Sequence, residues 1–147
     1  MTTVERPNPA PVRPRLRPWV APAVDLAVVV AFVAIGRRSH GEANDASGFA
    51  TTLWPFVAGL TLATLATRLF VAPLDWRRAV PAWLATVAVG LALRIGAGGR
   101  EFKVSFAIVA TAFLGLFLLG WRAAVLAIAR RRQPRATAAQ KSANAST

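Results

Sequence analysis

At 147 residues, 55% of them hydrophobic, and with a mean hydropathy of +0.47, the chain is too apolar for an ordinary soluble domain and falls in the membrane class as a single domain. Its formal net charge of +12 comes from 18 basic against 6 acidic residues, so the placement of the arginines matters more than their sum. The lack of cysteine excludes thiol catalysis, disulfides and cysteine metal sites, and one histidine excludes a multi-histidine site within the chain.

Residues 1–18, "MTTVERPNPAPVRPRLRP", hold five prolines and four arginines without apolar periodicity and read as a disordered cytoplasmic arm. The first apolar run, 19–36, opens on Trp19, suited to a membrane interface, and tolerates Pro22 in its first turn. No small-residue cleavage site follows it and three more apolar runs do, so it reads as a span rather than a signal peptide. The second run, 49–72, carries Pro55 one to two turns inside its start, where the ring should kink the helix. The third covers 80–98, with Pro81 at its start, and the fourth 104–129. Short connections make consecutive helices antiparallel neighbours. The expected fold is therefore all-α, a four-helix transmembrane bundle of up-down topology. Residues 130–147 are basic, then small and polar, and read as a disordered cytoplasmic tail.

Eleven basic residues fall on the side of the termini and of the 73–79 connection, against four on the other (Arg37, Arg38, Arg100, Lys103). The positive-inside trend then predicts a multi-pass protein of the inner (cytoplasmic) membrane with both termini cytoplasmic. No aromatic residue interleaves the basic tail. The charge is accordingly assigned to orientation and to anionic lipid at the cytoplasmic face, at ~1 kcal/mol per basic residue near the surface, rather than to nucleic acid.

Four charges remain inside the apolar runs, each costing ~2.5–3.5 kcal/mol at mid-span and less near an end, so partners are required. Asp25, Arg68 and Arg122 fall at similar depth on the cytoplasmic side, and Asp25 is the carboxylate available to neutralise either arginine. Arg94 falls on the other side with Arg37 and His40. Each helix carries one charged stripe with small or hydroxyl residues on it: Asp25, Val29, Phe32 and Gly36; Thr61, Thr64 and Arg68; Trp83, Thr86, Gly90 and Arg94; Thr111, Gly115, Leu118 and Arg122. These stripes suggest a polar site on the outer side (Arg37, His40, Arg94) and another on the inner side (Asp25, Arg68, Arg122), binding or moving a small, anionic solute. An internal ion pair that fixes helix register is the structural alternative. A membrane scaffold or assembly partner without transport activity, and an envelope lipid-modifying enzyme, are the functional ones. Four short helices enclose little volume, so a solute pathway would call for a homo-oligomer.

His40, Glu42 and Asp45 in the turn "GRRSHGEAND" form a partial ligand set for a divalent cation, and "GAGGREFK" lacks the GxxxxGK[ST] phosphate loop; no metal and no cofactor is expected. Ser39 beside His40 is adjacency, not geometry, and enzyme activity is not the expectation. A faint echo between Trp19 to "GRRSH" and Trp83 to "GREFK" suggests two parallel hairpin repeats.

The GRxSH turn, the TVxxGxxLR stretch from Thr86 to Arg94 and the Gly120-Trp121-Arg122 element, with Asp25, Trp54-Pro55-Phe56 and Phe106, resemble DUF3054, a family of small four-span membrane proteins found mainly in actinobacteria. The resemblance covers about residues 19 to 125. It implies an integral membrane protein and carries over no catalytic or ligand residue.

Overall fold

The computed structural model describes residues 16–39, 46–97 and 101–145, with side chains described for 16–38, 46–97 and 101–131. Four helices follow in order, α1 (Val20–Ser39), α2 (Ala46–Ala66), α3 (Trp76–Gly96) and α4 (Val104–Ala145), and no strand occurs among the described residues. Each contains a segment long and apolar enough to cross a membrane, with mean hydropathies of 2.0, 1.5, 1.6 and 2.1. At ~1.5 Å per residue even the shortest reaches about 30 Å, the thickness of a hydrocarbon core. The protein is a multi-pass, all-α membrane bundle in which each helix packs on its neighbours in sequence and α4 closes the ring against α1.

The helix ends differ from those read in the sequence, for local reasons. Basic residues favour the negative end of a helix dipole, and α1 continues through Arg37 and Arg38 in its last turn, so both belong to the helix and not to the turn after Gly36. Its partner α2 begins earlier than expected, which sets Pro55 near mid-helix, and ends earlier, at Ala66. Arg68 there adopts a left-handed backbone with φ of 51°. The Arg68 amide donates to the Leu65 carbonyl and the Leu69 amide to the Thr64 carbonyl, both at 3.1 Å, which is the paired bonding of a Schellman cap. Leu69 then turns inward, only 3% exposed, and packs with Ala63, Ala79 and Ala82. The apolar run 67–72 is thus a capped turn and not the end of a span, because Pro73 disfavours helix at the residue before it. Arg68→Gly should raise stability by about 0.5–1 kcal/mol by removing the Cβ penalty of the left-handed conformation, and Arg68→Ala should give no such gain; equilibrium unfolding in detergent distinguishes them.

Asp75 caps α3: its Oδ1 accepts the Arg77 amide at 3.0 Å and its Oδ2 lies 3.6 Å from Nε of Arg78. The cap starts α3 four residues earlier than expected and leaves Pro81 inside it. The backbone of α4 is helical to Ala145, where the sequence suggested a disordered tail from 130, because alanine, arginine, glutamine and lysine are strong helix formers. The arm 1–15 lies outside the described residues.

Packing is closest between α2 and α3. A Cβ on Gly59 would stand 2.8 Å from the Thr86 carbonyl oxygen and 3.1 Å from the Gly90 amide nitrogen, and one on Gly90 would stand 2.6 Å from the Phe56 ring. The two backbones therefore touch without an intervening side chain. Between α3 and α4, the Trp83 indole lies over Gly115 and donates to the Thr111 carbonyl at 3.1 Å. The centre of the bundle is filled by Phe32, Phe56, Val29, Val33 and Leu114, all buried, with Phe106 and Phe113 packed on them. Phe32 meets Phe56 edge-on at 5.3 Å between centroids and lies 5.6 and 5.9 Å from Phe113 and Phe106.

Candidate functional site

The up-down order divides the charged residues between two ends of the bundle. At the end shared by the start of α1, the α2–α3 connection and the middle of α4, Asp25 and Arg122 form a bidentate ion pair. Nη1 of Arg122 donates to Oδ1 at 2.8 Å and Nη2 to Oδ2 at 2.6 Å. Asp25 is 3% and Arg122 2% exposed, a burial that neither charge could bear alone. Further partners come from α4 and from the α2–α3 connection. The indole of Trp121 donates to Asp25 Oδ1 at 2.9 Å, Nε of Arg122 to the Pro73 carbonyl at 2.8 Å, and Nη1 of Arg122 to the Leu118 carbonyl one turn earlier in α4. The guanidinium also lies 4.5 Å from the centroid of the Trp121 ring. No buried side-chain nitrogen or oxygen among the described residues is without a hydrogen-bond partner.

Of the three residues expected on this side, the structure brings together Asp25 and Arg122 and leaves Arg68 out. Arg68 is exposed in the capped turn, and its backbone carbonyl accepts Nη1 of Arg78 at 2.9 Å, a contact separate from the Asp25–Arg122 pair. The stripe Thr61, Thr64 and Arg68 is accordingly not the packed face of α2. That face is Thr52, Phe56, Gly59, Leu60 and Ala63. The stripes of α3 and α4 do face the interior, with Thr86 fully buried, Gly90 against Phe56, and Gly115 beneath Trp83.

At the opposite end, Arg37 is buried at 7% exposure in the last turn of α1, and the guanidinium of Arg94, in the last turn of α3, lies 4.2 Å from the Phe106 centroid. Phe106 touches Phe32 and Phe56, so Arg94 closes that end of the aromatic core. His40, with Glu42 and Asp45, lies outside the described residues, as does Arg100. Among the described residues no group of three His, Asp or Glu side chains could hold a metal ion.

Sequence reading missed Trp121 and Pro73 as partners of the ion pair, Asp75 as a cap, and Phe106 as the platform for Arg94. Asp75 carried a usable signal, an aspartate just before a helical run. The Pro73 carbonyl carried none, because backbone groups leave no trace in residue identity.

The sequence model of a family described as "Protein of unknown function (DUF3054)" matches residues 22–125, a stretch that takes in the second and third spans, most of the first and fourth, and Asp25, Arg37, Arg94 and Arg122. No curated protein and no solved structure matches the chain.

Proposed function

This chain belongs to the DUF3054 family, described as of unknown function, and from its own side chains we propose that it is a membrane scaffold, an assembly partner for other membrane components without transport activity. The observation that carries this reading is the closure of the Asp25–Arg122 pair upon itself: both charges are taken up by each other, by Trp121 and by two carbonyls. A translocation site has to release its charged groups to a solute, whereas these hold α1, α4 and the α2–α3 connection in fixed register. The space between the helices is occupied by Phe32, Phe56 and Leu114. A filled, cross-linked bundle suits a rigid binding surface. The basic residues Arg17, Arg77, Arg78, Arg130 and Arg131 at the Asp25 end, against Arg37, Arg38 and Lys103 at the other, support placement in the cytoplasmic membrane with both termini inside and anionic lipid at that face.

A second reading, binding of a small anion from the Arg37 and Arg94 side, is favoured by the guanidinium of Arg94 held on Phe106 at the mouth of the core. Reconstituted vesicles separate the two. Under the scaffold reading, inorganic phosphate or acetate enters protein-containing vesicles no faster than protein-free ones, Arg94→Ala changes nothing, and a membrane companion co-purifies in fixed ratio with both forms. Protein-dependent anion flux that Arg94→Ala abolishes would overturn the scaffold in favour of the solute site.

A further inference from the structure

The outer surface between α3 and α4 carries a groove of about 570 Å³, lined by Trp83, Ala107, Thr111, Ala112, Gly115 and Leu119 among others, and open along its length. Its lining on α4 runs from Val104 to Leu119, about 22 Å at ~1.5 Å per residue. Trp83 of α3 forms one wall and α4 supplies the rest of the lining, so the depression is long and shallow. That shape suits a flexible hydrocarbon chain, whose carbon atoms pack at ~3.5–4.0 Å against alkyl and aromatic surface. The polar groups along the groove are already occupied: the Trp83 indole donates to the Thr111 carbonyl, and the Thr111 hydroxyl to the Ala107 carbonyl at 2.7 Å. What remains to the occupant is alkyl and aromatic surface.

We infer that this groove is a binding site for one acyl chain of a bilayer phospholipid, entering from the end of α4 marked by Lys103 and Val104. Charge favours this occupant over a second copy of the chain. The ammonium of Lys103, exposed and next to the groove's first residue, complements a lipid phosphate at that end. Two copies docked through α4 lie parallel in one membrane and set like charges at matching depths, Lys103 at one end and Arg130 with Arg131 at the other. Trp83, pinned over Gly115 by its bond to the Thr111 carbonyl, forms a wall beside α4, so a chain lying in the groove meets protein on two sides. This inference rests on membrane location alone and stands apart from the scaffold reading.

The test is native mass spectrometry of the full chain reconstituted in vesicles of palmitoyl-oleoyl phosphatidylglycerol and extracted with mild detergent. The wild-type chain is expected to retain one phospholipid through extensive delipidation. Ala112→Phe, which fills the groove from an exposed position, should reduce the retained fraction at least tenfold, as should Leu116→Phe. Val109→Phe, equally exposed but outside the groove, should leave it unchanged. Unfolding temperatures of the three variants identify any that fails to fold, and the remaining groove variant then decides. In vesicles of brominated-chain lipid, tryptophan quenching should fall in the groove variants and not in Val109→Phe. Equal lipid retention by all forms, or a lipid-free dimer of the wild type, would overturn the proposal.

Discussion

Asp25→Asn should destabilise the solubilised protein by about 3–5 kcal/mol, the cost of leaving a buried charge without its counter-ion. Arg122 is 2% exposed, and the carboxylate meets it with two bonds of 2.8 and 2.6 Å. An asparagine retains one oxygen and no charge. The other acceptors of the guanidinium, the Pro73 and Leu118 carbonyls, are dipoles and do not neutralise it. Arg122→Met should cost a similar amount, leaving the carboxylate with only the Trp121 indole. The double variant Asp25→Leu with Arg122→Met should recover most of the loss, since apolar residues that replace a whole buried pair are often neutral or stabilising. Equilibrium unfolding in detergent checks all three, and with the Asp25→Leu single variant added the set closes a double-mutant cycle. If the single changes cost under about 1 kcal/mol, or if their costs simply add, the pair is not the lock described above.

The second large effect is expected at Gly59. The Cβ of Gly59→Ala would come within 2.8 Å of the Thr86 carbonyl and 3.1 Å of the Gly90 amide, both backbone atoms that move only if α2 and α3 separate. Overpacking of this kind costs about 1–3 kcal/mol, and leucine at the same position should prevent assembly of the α2–α3 pair. Gly90→Ala meets the Phe56 ring instead, but Phe56 is fully buried against Phe32 and Phe106 and has little room to turn. Gly120→Ala is the control: nothing lies within 4 Å of its Cβ, so stability should be unchanged or rise by up to ~1 kcal/mol from helix propensity. Melting temperatures of the purified variants order them. A Gly59→Ala protein as stable as Gly120→Ala would mean that the two backbones are not in contact.

The features legible in the sequence were those written in apolarity and charge. Four apolar runs of span length are four helices, and depth narrows the partner of Asp25 to Arg68 or Arg122, between which the structure selects Arg122. Helix ends were less legible. Hydropathy does not distinguish a span from an apolar turn, so Leu69, Phe70 and Val71 read as helix although Arg68 has already left it. Drawing the α2 stripe through Arg68 then rotated the inferred face away from Gly59, and the closest contact in the bundle was missed. On α3 and α4 the guiding residues Arg94 and Arg122 lie inside their helices, and there the inferred stripes led to Gly90 and Gly115. Partners supplied by backbone, such as Pro73, and by an aromatic face, such as Phe106, depend on tertiary placement that residue identity does not encode.

The ion pair joins the first span to the last, 97 residues apart in the chain. At ~5–20 residues per second of synthesis, α1 leaves the ribosome about 5–20 s before the arginine that neutralises it. During that interval Asp25 is an acid at the edge of the bilayer without its counter-ion, and α1 has to be sheltered by the insertion machinery or wait near the surface. Arrival of Arg122 is therefore also the event that commits α1 to the membrane, and a chain truncated before Trp121 should release α1 for degradation however apolar that helix is.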